Sequence, residues 1–201
     1  MKVKRFEQYI HHSLTSNTYV VSNNDKCIII DPGIITDELA KYLDNFTIES
    51  VLLTHGHYDH IGGCLELDVP TFIHELDEKI LIDPKHNYSM WLEEAFSIPS
   101  EKVTTFKELD KNIIGLSVKS IHTPGHTKGS VLYKIHNYVF TGDTLFVDSI
   151  GRTDLYSSNV VDIQKSLKLI DNSLSNEDII CPGHGGKAKY KIVRKINPFI
   201  R

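Results

Sequence analysis

The chain has 201 residues, 40% of them hydrophobic and 24% charged, which suits a globular protein large enough to build its core without staples. Three widely separated cysteines, Cys27, Cys64 and Cys181, offer neither a disulfide framework nor a CxxC redox pair, and a reducing, cytoplasmic compartment is expected. Net charge is −4, but residues 187–201 hold six basic and no acidic side chains, leaving 16 basic against 26 acidic elsewhere; so acidic a body argues against broad binding of duplex nucleic acid.

No apolar leader opens the sequence and no run approaches the length of a membrane helix. One domain over 1–201 is expected. Residues 17–22 and 27–30 are β-rich runs around the polar turn Ser22-Asn23-Asn24-Asp25, a hairpin. Asp31-Pro32-Gly33 stops the second strand. Leu39, Ala40, Leu43 and Phe46 repeat at helical spacing over 36–46, with Thr36 as cap and Glu38 near the positive end. Val51-Leu52-Leu53 is a short buried strand that runs straight into Thr54-His55-Gly56-His57-Tyr58-Asp59-His60. Beyond Gly63, residues 71–73 read as a strand and 75–82 as a helix, while 83–100 are irregular, with breakers at Asp83-Pro84 and Ile98-Pro99. Strands follow near 102–106, 116–121, 130–135 and 138–141, then a helix over 160–170 on the stripe Val160, Ile163, Leu167, Ile170. Ile179-Ile180-Cys181 is the last buried strand. The basic tail reads as a solvated helix face, or as a rim that attracts an anionic substrate. Strands in the middle with helices interleaved elsewhere suggest two sheets covered by helices.

Seven side chains fall at spacings that suit a two-metal hydrolytic site: His55, His57, Asp59, His60, His126, Asp143 and His184. The later three sit in Gly-containing turns, Thr123-Pro124-Gly125-His126, Phe140-Thr141-Gly142-Asp143 and Pro182-Gly183-His184, each after an apolar run. Residues two apart leave a strand on the same face, so His55 and His57 can aim together. Asp59 and His60, at the start of a following helix, can turn toward a second ion about 3.5–4 Å away. A carboxylate between the ions, Asp143, would neutralise part of their charge. Nitrogen and oxygen donors suit two divalent cations, zinc first, with iron or manganese as alternatives. His11, His12, His74, His86, His122 and His136 are expected to be structural or solvated, with His122 the nearest to a ligand turn. Tyr58 is a spacer, and the cysteines are small buried thiols rather than soft ligands.

These motifs, in the order Asp31-Pro32-Gly33, His55 to His60, His126, Asp143, His184, resemble the metallo-β-lactamase superfamily over nearly the whole chain. The resemblance implies an α+β fold, a four-layer αββα sandwich with a dinuclear site on one edge. It implies one metal held by His55, His57 and His126, a second by Asp59, His60 and His184, and Asp143 bridging. Within the superfamily, Phe140 to Phe146 followed by Ile150-Gly151-Arg152-Thr153-Asp154 is similar to the shorter bacterial glyoxalase II-like hydrolases, as is Asp83 to Ser89. That implies hydrolysis of a small, anionic thioester by a metal-bridging hydroxide that Asp59 orients. Only 17 residues follow His184 in this sequence, so no counterpart is expected to the C-terminal helical domain that helps full-length glyoxalase II to bind glutathione. True β-lactamases lack the aspartate matched by Asp143, which points away from antibiotic hydrolysis. The same pattern also resembles persulfide dioxygenases, which would hold one iron at His55, His126 and Asp143; lactone or phosphodiester hydrolysis by a dinuclear site is a further alternative. Arg152 and Asp154 are expected to pair beneath the site and stiffen the Asp143 loop. Tyr88, Trp91 and Phe96 are candidates for a lid, or else a packed face.

Overall fold

The structure is a computed structural model describing residues 1–10 and 13–200. His11, His12 and Arg201 of the basic tail lie outside the described residues. Six strands lie side by side in chain order in the first sheet: β1 (Lys2–Ile10), β2 (Ser13–Asn23), β3 (Lys26–Ile30), β4 (Thr47–Leu52), β5 (Thr71–His74) and β6 (Val103–Phe106). The second sheet holds β7 (Asp110–Ile113), β8 (Leu116–His122), β9 (Val131–Ile135), β10 (Tyr138–Gly142), β11 (Ile179–Pro182) and β12 (Ala188–Lys189), again in order. The α-helices are α1 (Asp37–Leu43), α2 (Tyr58–Ile61), α3 (Glu78–Leu81), α4 (Val160–Ser173) and α5 (Tyr190–Ile196).

Side-chain alternation dictates the layering. Ile28 and Ile30 of β3 and Leu52 of β4 join Tyr133, Phe140 and Cys181 in a cluster between the sheets. Their neighbours Cys27, Ile29 and Val51 point the other way, against Leu39 and Leu43 of α1. On the second sheet Leu132, Val139 and Ile180 face outward onto Leu167 and Ile170 of α4 and Val193 of α5. Strands apolar on both faces need cover on both. The result is the α+β, four-layer αββα sandwich that the motif order implies.

Thr36 caps α1 as expected, its hydroxyl accepting from the Leu39 amide at 3.2 Å. Along α4, Ile163, Leu167 and Ile170 are buried as the stripe requires, but Val160 at the first turn is exposed. The segment read as a helix over 75–82 splits into a 3-10 turn at Glu75–Asp77 and the single turn α3. The basic tail is only partly a solvated face, because Tyr190 and Val193 are buried. Among the described residues no helix is long and apolar enough to cross a membrane.

Candidate metal centre

Two parallel pairs, β3 with β4 and β10 with β11, carry chemistry-bearing residues just past their C-terminal ends. Hydrogen bonds lace these ends together. The Gly183 amide donates to the Gly142 carbonyl at 2.8 Å, and the Val131 amide donates to the Thr54 carbonyl at 2.9 Å. Gly142 and Gly183 permit the approach. A Cβ on Gly142, whose φ is +47°, would lie 2.2 Å from Thr54 Oγ1, and one on Gly183 would lie 2.2 Å from Asp143 Oδ1.

The seven expected side chains converge here. Ligand atoms of His55, His57 and His126 lie within 4.8 Å of one another, as do those of Asp59, His60 and His184; a third grouping, His55, His60 and Asp143, links the two. His126 Nε2 is 3.0 Å from His57 Nδ1. Asp143 faces both groups: Oδ1 is 3.3 Å from His60 Nε2, and Oδ2 is 3.3 Å from His184 Nε2 and 3.7 Å from His126 Nε2. Asp59 Oδ2 is 3.3 Å from His184 Nε2.

The rear nitrogens are braced. Asp31, left-handed at the end of β3 with φ +51°, accepts the Thr54 amide at 2.8 Å and the Thr54 hydroxyl at 2.7 Å, and its Oδ2 is 3.0 Å from His60 Nδ1. Thr54 Oγ1 lies 3.1 Å from His55 Nδ1, and the Arg152 carbonyl lies 2.9 Å from His126 Nδ1. Partners on Nδ1 fix each ring and leave Nε2 facing inward. Buried Nε2 of His55 has no hydrogen-bond partner among the described residues, and His60 Nε2 and Asp143 Oδ1 meet only each other, at 3.3 Å and without hydrogen-bond geometry. Leaving a buried polar atom unpaired costs about 1–3 kcal/mol, so a cluster of them with imidazole and carboxylate chemistry fits divalent cations.

The electrostatics divide the centre. Burial, with His126 beside it, pushes His57 down to about 3, and burial with His60 nearby pushes His55 well below the usual histidine range. Around the other group burial opposes the charges and loses. Carboxylates of Asp59, Asp143 and Asp31 hold His60 well above its ordinary value, and Asp143 with Asp59 carries His184 up to about 10. Conversely, burial raises Asp143, but His184 and His60 outweigh it and hold it well below the usual carboxylate range. His55 and His57 are thus held neutral, while His60, His184 and their carboxylates form an ionic half.

A cleft of about 610 Å³ opens onto these groups, walled by Tyr88, Trp91, Phe146 and Leu155, with Arg152 at its side. Tyr88 packs edge-on against His57, 5.3 Å between centroids, and Trp91 is 77% exposed. Phe96 does not join them. It packs against the core cluster on the outer face of the first sheet, because Ser89 and Asn87 hold its backbone inward: both side chains donate to the Phe96 carbonyl, at 2.7 and 2.9 Å. Arg152 and Asp154 do pair, at 2.8 and 2.9 Å, but in solvent rather than beneath the site. Arg152 braces the centre through its main-chain carbonyl instead. Arg152→Ala should therefore retain wild-type metal content, measured by elemental analysis; loss of metal would place the support in the guanidinium.

The remaining described histidines stay outside. His122 stacks on His74 at 4.1 Å, His86 stacks on Tyr156 at 3.7 Å, and His136 sits in a hairpin turn with φ +55°. All three cysteines are free and buried, and none is in a ligand group. Sequence reasoning missed the hydrogen-bonding roles of Thr54 and of Asp31, which it noted as a strand stop and as part of a family motif, and overlooked the buried Asp77.

Comparisons with known proteins agree with this geometry. The profile described as Metallo-beta-lactamase superfamily matches residues 14–184. The chain is 35% identical to an uncharacterized protein of Mycobacterium tuberculosis and 30% identical to the probable metallo-hydrolase YqgX of Bacillus subtilis, each over 93% of both chains. Among solved structures, BLEG-1 B3 metallo-beta-lactamase superposes with a TM-score of 0.85 at 31% identity, covering 99% of both chains. TTHA1623 in a di-iron-bound form gives 0.79 at 28%, covering 96% of this chain and 99% of that one. ETHE1 from Myxococcus xanthus gives 0.73 at 22%, covering 98% and 84%, a likeness of fold. With two donor groups set at the edge of an αββα sandwich and a family match across most of its length, the chain belongs to the metallo-beta-lactamase superfamily and is a metal-dependent hydrolase.

Proposed function

We propose that this hydrolase is a thioesterase of the glyoxalase II-like type, acting on a small anionic thioester. His55, His57 and His126 hold one divalent cation, Asp59, His60 and His184 a second, and Asp143 stands between them. The observation that carries the reading is the second donor group. A mononuclear iron site at His55, His126 and Asp143 would leave Asp59, His60 and His184 without a task, yet His60 has its own carboxylate brace in Asp31. When bound, two such cations supply an acidified water and a Lewis-acid contact for a carbonyl oxygen. The chain's residues do the rest. Tyr88, Trp91, Phe146 and Leu155 offer apolar walls that shed water around an acyl group, with Arg152, paired to Asp154, at their side. Asp59 faces His184 and stands at the cleft, where it can orient the nucleophile. Zinc is the first candidate for the metal, and the di-iron relative makes iron the next. Free thiols fit a cytoplasmic setting.

The test is hydrolysis of S-lactoylglutathione with metal quantification, for wild type and His57→Ala, with glutathione persulfide and a chromogenic β-lactam assayed in parallel. The β-lactam is included because one close structural neighbour is named for that activity. Wild type should hydrolyse the thioester with two metals per chain, and His57→Ala should lose most of the rate and part of the metal. A fully metallated protein inert toward the thioester removes this substrate class, and oxygen consumption on the persulfide with one iron replaces it.

A further inference from the structure

We infer that Asp77 is a positioning residue: a buried carboxylate clasp that joins the two loops carrying His55, His57 and His126 and so sets the spacing of the first metal's ligands. The inference rests on the metal reading above, but not on the substrate. Asp77 closes the 3-10 turn after β5 and is fully buried. Its Oδ2 accepts from the Gly56 amide at 3.1 Å and the Thr127 hydroxyl at 2.7 Å; its Oδ1 accepts from the Gly129 amide at 2.7 Å. Gly56 lies between His55 and His57, and Thr127 follows His126 directly. One side chain thereby fastens both loops from behind, while no atom of it enters the ligand groups.

The neighbouring residues are shaped to it. A Cβ on Gly129 would lie 2.6 Å from Asp77 Oδ1, so only glycine lets that amide reach the carboxylate. Thr127 is itself held, its hydroxyl 2.7 Å from Ser130 Oγ and its amide donating to the same oxygen at 3.0 Å. The requirement is for a carboxylate and not merely for a polar group of that size. An amide has one acceptor oxygen, and the two backbone donors come to different oxygens, so an asparagine side chain in either orientation would turn an NH2 group against one of them. Burial pushes Asp77 up to about 6 against the pull of its three donors, which leaves the two-acceptor form in place at neutral pH.

The experiment is a chelator-competition titration of zinc into metal-free wild type, Asp77→Asn and Thr127→Val, with thermal melts of each protein without metal. The wild-type titration checks the metal reading independently of the clasp. Support of this kind behind ligands is worth about 10–100-fold in metal affinity. Asp77→Asn should weaken one of the two sites, or the only site, by that factor at temperatures where its metal-free form is fully folded. Any second site should be unchanged, and Thr127→Val should shift the same site by a smaller factor. If Asp77→Asn does not fold, Thr127→Val decides alone. Unchanged zinc affinity in the folded variants, or equal weakening of both sites, overturns the clasp and leaves only a contribution to general stability.

Discussion

Asp143→Ala should yield a folded protein that has lost metal from the ionic half of the centre and at least about 10²–10³-fold of its hydrolytic rate, the scale of removing one preorganised electrostatic group. The expectation follows from position. Asp143 approaches imidazoles of both donor groups, with His60 and His184 at 3.3 Å and His126 at 3.7 Å. Its charge offsets the positive charge gathered around it, and without it His60 and His184 keep only Asp59 as a close anion facing the cleft. The fold should survive because Asp143 lies just beyond β10, outside the apolar clusters that hold the sheets together. Elemental analysis and steady-state rates on the purified variant check both parts. Full metal content with near-normal turnover would show that the carboxylate is a bystander and would end the two-cation reading.

The centre was far more legible in the sequence than its supports. Ligand residues announce themselves because imidazoles and carboxylates rarely gather beside glycine turns that follow apolar strands. His55 and His57 share a direction, as two residues leaving a strand should, with rings 4.7 Å apart. The braces give no such signal. Glu75-Leu76-Asp77-Glu78 looks like an acidic helix turn, and nothing in it distinguishes the fully buried Asp77 from Glu75 and Glu78, its less buried neighbours. Arg152 attracted attention for its charge, whereas its contribution to His126 runs through a carbonyl that any residue would supply.

The same limit explains the strands that pattern reading passed over. β1 begins Lys-Val-Lys-Arg-Phe-Glu and β7 is Asp-Lys-Asn-Ile, both at sheet edges. Edge strands are held by backbone ladders and tolerate charge on their open side, so their hydrophobic signature is weak. Central strands such as β3 and β11 are apolar on both faces and were plain. Residues 83–100 stay irregular for a visible reason: Asn87 and Ser89 are buried polar hubs that bind backbone groups in place of a ladder.

Asp31→Asn, a change of one heavy atom, should cost about 10–100-fold in affinity for the cation held by His60, on the scale of losing a carboxylate behind a ligating imidazole. The amide oxygen can go on accepting the Thr54 amide, now 2.8 Å from Oδ1. The new NH2 group then replaces Oδ2, which lies 3.0 Å from His60 Nδ1 and 2.7 Å from Thr54 Oγ1. Thr54 can rotate its hydroxyl to accept. His60 can accept only by leaving Nδ1 without a proton, and the ring proton then belongs on Nε2, the atom that faces Asp143 and the ligand group. A nitrogen that carries hydrogen has no lone pair to offer a metal. Stability should fall as well, by about 1.5–3 kcal/mol, the net worth of a hydrogen bond to a charged group. Zinc titration, melting of the metal-free protein and nitrogen-15 NMR of the zinc-loaded protein separate the two effects. Thr54→Val, which removes a hydroxyl contact but keeps the Asp31 carboxylate behind His60, should lose stability while holding the metal of this half more firmly than Asp31→Asn does. Equal metal affinity in wild type and Asp31→Asn would mean that the His60 ring is oriented by packing alone and that its proton placement does not matter.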